Sequence, residues 1–160
     1  MKQKVFDFLH QAGIAYELTE HPAVYTMEDP AALELSKLGP IPKNLFLKDG
    51  KGRQHFLVTA AADTQIDLKA LGGKLGVKKL GFASADRLAQ YLGVTAGCVS
   101  PFGLLNDSEN AVTVVLDSKL TGLTKLGVHP NVHDATVWLS FEDLQRAILA
   151  TDHQVQILEF

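Results

Sequence analysis

Residues 41–61 read IPKNLFLKDGKGRQHFLVTAA. Two apolar runs, NLFL (44–47) and HFLVTAA (55–61), flank the Gly-containing KDGKG (48–52), which predicts a β-hairpin with a tight turn. The first strand opens on Lys43 and Asn44, where the apolar pattern would accept any residue. A cation at the mouth of a core strand either snorkels to solvent or serves chemistry at the strand end.

The flanking sequence supplies the elements that would pack on this hairpin. Val5, Phe8, Leu9 and Ala12 fall at helical spacing and Gly13 is a plausible stop, so a first helix is predicted over roughly residues 2 to 12. IAYELTEH (14–21) reads as a strand. In TMEDPAALELSKLG (26–39), Thr26 with Asp29 three residues on predicts a cap, and a helix ending near Gly39 and Pro40. Asp67 caps a stripe of Leu68, Leu71 and Leu75, which Gly72 and Gly73 interrupt; Leu88, Tyr91 and Leu92 share the face of a further helix. NAVTVVLD (110–117) and ATVWLS (135–140) are apolar enough for buried strands. Ser140 and Asp143 stand at capping-box spacing before Phe141, Leu144 and Ile148, and VQILEF (155–160) closes the chain as a strand. Helices and strands interleave without strict βαβ regularity, which predicts one compact α/β domain with a mixed sheet over residues 1–160.

The bulk numbers agree with a globular domain. The 160 residues are 46% hydrophobic and 21% charged, and no apolar run approaches the roughly 18 residues that span a bilayer. The N-terminal stretch MKQKVFDFLHQAG suits a helix better than a signal peptide, so no membrane association and a cytoplasmic protein are expected. Cys98 is the single cysteine, which rules out an internal disulfide and a thiolate zinc site.

Charge is unevenly distributed. Between Lys43 and Lys79 lie eight basic and three acidic residues, a local +5 in a chain of net charge −3. That imbalance suits a basic face for phosphates on an otherwise acidic molecule, and equally suits scattered solvated lysines.

Several catalytic signatures are missing: there is no Walker loop, dinucleotide fingerprint, HExxH or GxSxG. His129 and His133 stand i,i+4, but Pro130 disfavours helix at His129, so no metal site is expected. Three polar clusters in apolar surroundings remain. They are Lys43 with Asn44, the turn GCVSPFGLLND (97–107), and GVHPNVHDAT (127–136) around His129. In the second, Gly97, Pro101 and Gly103 permit a sharp bend that leaves backbone N–H groups free to point outward. Cys98 within it could be a thiol nucleophile with His129 as base, but a small cysteine in a Gly-rich loop more often packs.

Together these clusters resemble the freestanding prolyl-tRNA editing deacylases, the ProX and YbaK group, from about Ile14 to the C-terminus. KNLFL, the GxxxP loop GCVSP and GVHPNVHDAT carry the resemblance. EHPAVYTMED (20–29) is typical of the branch resembling Ala-tRNA(Pro) deacylases. That branch commonly has HPxxN, whereas this chain has His133 in place of the asparagine.

The resemblance implies a YbaK-like fold, with a mixed, largely antiparallel sheet flanked by helices. It also implies cofactor-free, metal-independent hydrolysis of the ester joining a wrong amino acid to tRNA(Pro). Alanine is the expected acyl group, cysteine the alternative, and a non-catalytic tRNA-binding module the reading from another class. The implied catalytic set is Lys43, Asn44 and the loop Gly97, Cys98, Val99, Ser100 and Pro101. His129, Gly103 and Asn106 are implied for substrate binding. Lys48, Lys51, Arg53, Lys78 and Lys79 are the candidates for the acceptor stem, and prolyl-tRNA synthetase is a candidate partner.

Overall fold

The computed structural model describes residues 2–160. Its central sheet has five strands in the order β4-β2-β3-β5-β8, with β2 at Lys43–Lys48, β3 at His55–Ala60, β4 at Gly81–Phe82, β5 at Val112–Asp117 and β8 at Val155–Leu158. The predicted hairpin is β2–β3, paired antiparallel from Lys43↔Ala60 to Lys48↔His55. Its turn occupies residues 49–54. Asp49 fixes it by accepting from the Arg53 N–H at 2.8 Å and the Gln54 N–H at 3.1 Å. Gly52 takes φ +68°, a left-handed conformation that glycine adopts without steric cost.

β3, β5 and β8 run parallel, while β2 and β4 are antiparallel to their neighbours. The expected single sheet is in fact two. β1 (Glu17–Glu20), β6 (Leu126–Val128) and β7 (Ala135–Leu139) form a separate antiparallel sheet in the order β1-β7-β6.

Period-two alternation explains why every residue of β3 is buried. Phe56 and Val58 face one side of the sheet, where they join Leu47, Val115 and the helix α3 (Leu68–Leu75) through Leu71. Leu57 faces the other side with Phe46, Val114 and Leu116. That side is covered by α1 (Lys2–Gln11), α4 (Ala85–Leu92) and α5 (Phe141–Ala150), and also by Leu126, Val128, Val137 and Leu139 of the second sheet. Truncating a fully buried leucine such as Leu57 in this layer to alanine costs about 2–5 kcal/mol.

Helix starts follow local capping chemistry. Asp67, Ser84 and Ser140 accept backbone N–H groups in the first turns of α3, α4 and α5. Gly72 and Gly73 leave α3 unbroken. The predicted cap at Thr26 is corrected: α2 spans Pro30–Ser36 with Asp29 as N-cap and proline in its first turn. Pro30 lacks an N–H and presets φ, so it begins a helix more readily than it continues one. Asp29 instead folds back on the preceding residues and accepts from the Tyr25 N–H at 2.7 Å and the Thr26 N–H at 3.1 Å. No helix among the described residues is long and apolar enough to cross a membrane.

Candidate active site

The strand order brings the N-terminal end of β2 beside the C-terminal ends of β3 and β5. The second sheet abuts this edge, and Gly127 of β6 donates its N–H to the Pro40 carbonyl just ahead of β2 at 2.8 Å. A cavity of about 210 Å³ lies at the junction. Lys43 and Asn44 of β2 line it together with Gly127, His129 and Thr136. Ala32 and Leu35 of α2, His21 and Val24–Met27 of the strap at residues 21–27, and Ala96, Gly97 and Val99 also line it.

Lys43 is half-buried, and its Nζ donates to the Thr64 carbonyl. Thr64 is held in turn by Asp117 at the end of β5. One carboxylate oxygen of Asp117 accepts from the Thr64 hydroxyl and from the Ala61 N–H at 3.1 Å; the other accepts from the Lys119 N–H at 3.0 Å. Burial pushes the Asp117 carboxyl up, but these hydrogen bonds outweigh it and hold the group below the usual carboxylate range. Asp117 is thus a fixed anion whose contacts set the turn that sets the lysine. Asn44 sits opposite Thr59 in the β2–β3 register and accepts its hydroxyl at 2.6 Å, which leaves the amide nitrogen as the available donor end.

His129 follows β6 directly. Its Nδ1 is enclosed and has no hydrogen-bond partner. Burial, reinforced by the charges of His133 and His21, outweighs a hydrogen bond with the Val99 backbone and brings its pKa down to about 4. The imidazole is therefore neutral at physiological pH, and the residue lines the cavity.

The Gly97–Pro101 loop divides its residues between two sides. Gly97 and Val99 line the cavity. Ser100 is fully buried; its hydroxyl donates to the His129 carbonyl at 2.8 Å and accepts from the Phe102 N–H at 3.2 Å, which ties the loop to the histidine turn. Pro101 starts the buried 3-10 turn Pro101–Asn106. Cys98 is buried and does not line the cavity, and burial pushes its thiol up, away from the thiolate a nucleophile requires.

Gly103 and Asn106 also lie off the cavity. Gly103 packs on Leu92, where an added Cβ would stand 3.0 Å from the leucine Cβ. The Asn106 amide donates to the Leu92 carbonyl at 2.8 Å and accepts from Lys4 at 2.8 Å, so it serves the end of α4.

The five basic candidates gather at the far end of the hairpin. Lys51, Arg53, Lys78 and Lys79 are exposed and Lys48 half-buried. The Gly50 N–H donates to the Lys78 carbonyl at 2.9 Å and joins the two loops that carry them. Lys48 is five strand steps from Lys43, about 17 Å at the usual rise.

Sequence reasoning missed His21, Thr64, Thr136 and Asp117. The ring nitrogens of His21 lie 2.7 Å from the Pro22 carbonyl and 3.0 Å from the Thr136 hydroxyl, and His21 lines the same cavity as Lys43. One signal was available: the His-Pro step occurs twice, at His21–Pro22 and His129–Pro130, and both histidines face the same space. An acid ending an otherwise apolar strand was the corresponding signal for Asp117.

The sequence profile of the aminoacyl-tRNA editing domain matches residues 21–147. The chain belongs to the aminoacyl-tRNA editing family. Within it, the chain is an aminoacyl-tRNA deacylase of the prolyl-tRNA editing type. It is 48% identical over 158 residues to the prolyl-tRNA editing protein ProX of Acetoanaerobium sticklandii, covering 99% of this chain and 96% of that one. It is 38% identical to the prolyl-tRNA synthetase associated domain-containing protein 1 of Danio rerio, covering 100% and 88%. A crystal structure proposed to be a trans-editing enzyme for prolyl-tRNA synthetase superposes with a TM-score of 0.75 at 20% identity, covering 99% and 96%. At that identity the likeness bears on the fold alone.

Proposed function

We propose that the protein hydrolyses the ester of alanine mis-attached to tRNA(Pro). The single observation that carries the reading is the convergence on one small cavity of a half-buried lysine held at a strand mouth, the Gly97 loop and the neutral His129.

An aminoacyl ester is already activated, so its hydrolysis needs an attacking water, donors for the developing oxyanion and a pocket of the right size. Lys43 supplies a cation that a rigid strand and the Thr64 carbonyl hold in place, and the Gly97–Val99 main chain borders the same space. One well-aimed oxyanion donor is worth about 3 kcal/mol, roughly a hundredfold in rate. Asn44 orients the substrate through its amide nitrogen, and His129, which lines the cavity, helps to bind the acylated terminus. The adjacent ribose hydroxyl of the substrate positions the water, so no protein nucleophile is required, and the buried Cys98 fits that requirement.

Alanine is smaller than proline, so a synthetase site built for proline admits it. A second, smaller site that destroys what fits is the physical remedy. The acceptor stem of tRNA(Pro) then runs along β2 toward Lys48, Lys51, Arg53, Lys78 and Lys79, whose phosphate contacts add affinity. Prolyl-tRNA synthetase is the natural source of the substrate and a candidate partner.

The test is single-turnover deacylation of tRNA(Pro) charged with alanine, cysteine, serine or proline. Fastest release of alanine with proline left intact supports the reading. Faster release of cysteine assigns the protein to that amino acid instead. Tight binding without release of any, unchanged by Lys43→Ala, identifies a non-catalytic tRNA-binding module.

A further inference from the structure

His133 ties three segments of the cavity together. Its main-chain carbonyl accepts from the Val24 N–H at 3.0 Å, and its ring Nδ1 lies 3.3 Å from the Val24 carbonyl. The ring packs against Tyr25 with centroids 4.8 Å apart. On its other side it meets Gly97 so closely that a Cβ added there would stand 2.8 Å from His133 Cε1. His133, Tyr25 and Gly97 all line the cavity. The ring is therefore in contact with both the strap and the Gly97 loop, and its Nδ1 is within hydrogen-bond reach of the Val24 carbonyl. Only a glycine at position 97 accommodates it undisturbed.

We propose that His133 is a specificity-determining residue: its clamped imidazole is the wall that sets the width of the acyl pocket, and Gly97 is glycine because that wall stands against it. The proposal rests on the deacylase reading above and adds which side chain excludes acyl groups larger than alanine. A clamped ring rejects by shape, since a larger acyl group must displace the ring from Tyr25 and from the Val24 carbonyl together. A shorter side chain at 133 leaves the strap and the histidine turn joined through the Val24–His133 main-chain hydrogen bond but opens the space beside Gly97.

The experiment measures single-turnover release of alanine, cysteine and proline from tRNA(Pro) by wild type, His133→Asn, His133→Ala, Gly97→Ala and the double variant Gly97→Ala/His133→Ala. Each protein is first checked for cooperative thermal unfolding. Removing a steric wall of about a methylene or two changes discrimination by roughly tenfold or more. His133→Asn and His133→Ala are expected to narrow the alanine-over-proline and alanine-over-cysteine ratios by at least about that factor. Gly97→Ala is expected to slow alanine release, and the double variant to recover about tenfold over Gly97→Ala alone. A purely structural role for His133 would lower all rates together and leave the ratios fixed. Unchanged ratios in an active enzyme, or a double variant no faster than Gly97→Ala, overturn the wall. A wild-type protein inert toward every charged tRNA overturns the deacylase reading itself, and the wall with it.

Discussion

Lys43 and Asp117 never touch, yet the carboxylate governs the amine: Asp117 holds Thr64 by its hydroxyl, and the Thr64 carbonyl receives Lys43 Nζ. The relay crosses from β5 to the mouth of β2 through a turn that also hangs on the Ala61 N–H. Asp117→Asn replaces an acceptor with a donor among buried N–H and O–H groups. Each hydrogen bond to a buried charge is worth about 1.5–3 kcal/mol, so the melting temperature falls. Deacylation per folded molecule should fall as well, by roughly tenfold, because the lysine loses its anchor. A destabilised protein with undiminished single-turnover rate would disprove the relay.

Lys43→Ala removes the cation nearest the proposed ester. The expected loss in single-turnover rate is about a hundredfold or more, with little change in thermal stability because the residue is only half-buried. Lys43→Arg is not expected to restore activity, since a planar guanidinium cannot occupy the point-charge position set by one carbonyl. An arginine variant as fast as wild type would show that charge alone is used there.

His129 contributes a pH dependence with a definite sign. Its folded pKa, lowered by burial to about 4, lies below the 6.5 of an unfolded histidine. Between these values the unfolded chain binds the proton and the native one does not. Stability is therefore unaffected above about pH 6.5, declines as pH falls toward 4, and levels off below that. Urea unfolding of His129→Gln should lose this part of the decline. An identical pH profile for both proteins would remove the assignment.

Cys98→Ala should retain most of the deacylase activity, because the thiol is buried away from the cavity and its pKa is pushed up rather than down. The cost appears in stability, at about 1 kcal/mol or less for a small buried side chain. An activity loss comparable to that of Lys43→Ala would revive the thiol as nucleophile.

The basic end of the hairpin is separable from the chemistry. Alanine at Lys48, Lys51, Arg53, Lys78 and Lys79 together should raise KM, spare the single-turnover rate at saturation, and flatten the salt dependence of binding. Each phosphate left without its cation lowers the log–log slope by about 0.7–0.9. A salt slope equal to wild type would exclude these five as phosphate ligands.

The hairpin at 41–61, all five helices and the strands β1, β5, β7 and β8 were legible because each is written in local pattern: alternation, caps and glycine turns; only the start of α2 was misplaced. Lys43 and Asn44 stood out because a polar pair interrupts an apolar strand. The two-sheet division was not legible, because β6 is a three-residue strand whose partners are fixed by tertiary packing. Ser100, Cys98, Gly103 and Asn106 look like site residues in sequence, since a Gly and Pro loop advertises exposed backbone without saying which side chains turn inward. Asp117 and Thr64 were missed for the opposite reason. Their importance lies in a contact between residues distant in the chain; an acid closing an apolar strand marks Asp117, but nothing local marks Thr64 as its partner.

The pairing of β1 with β7 joins Glu20 to Ala135, near opposite ends of the polypeptide. Lys43 and His129 line one space only when strands distant in the chain have paired, so the integrity of the cavity depends on the whole fold and not on any single local element.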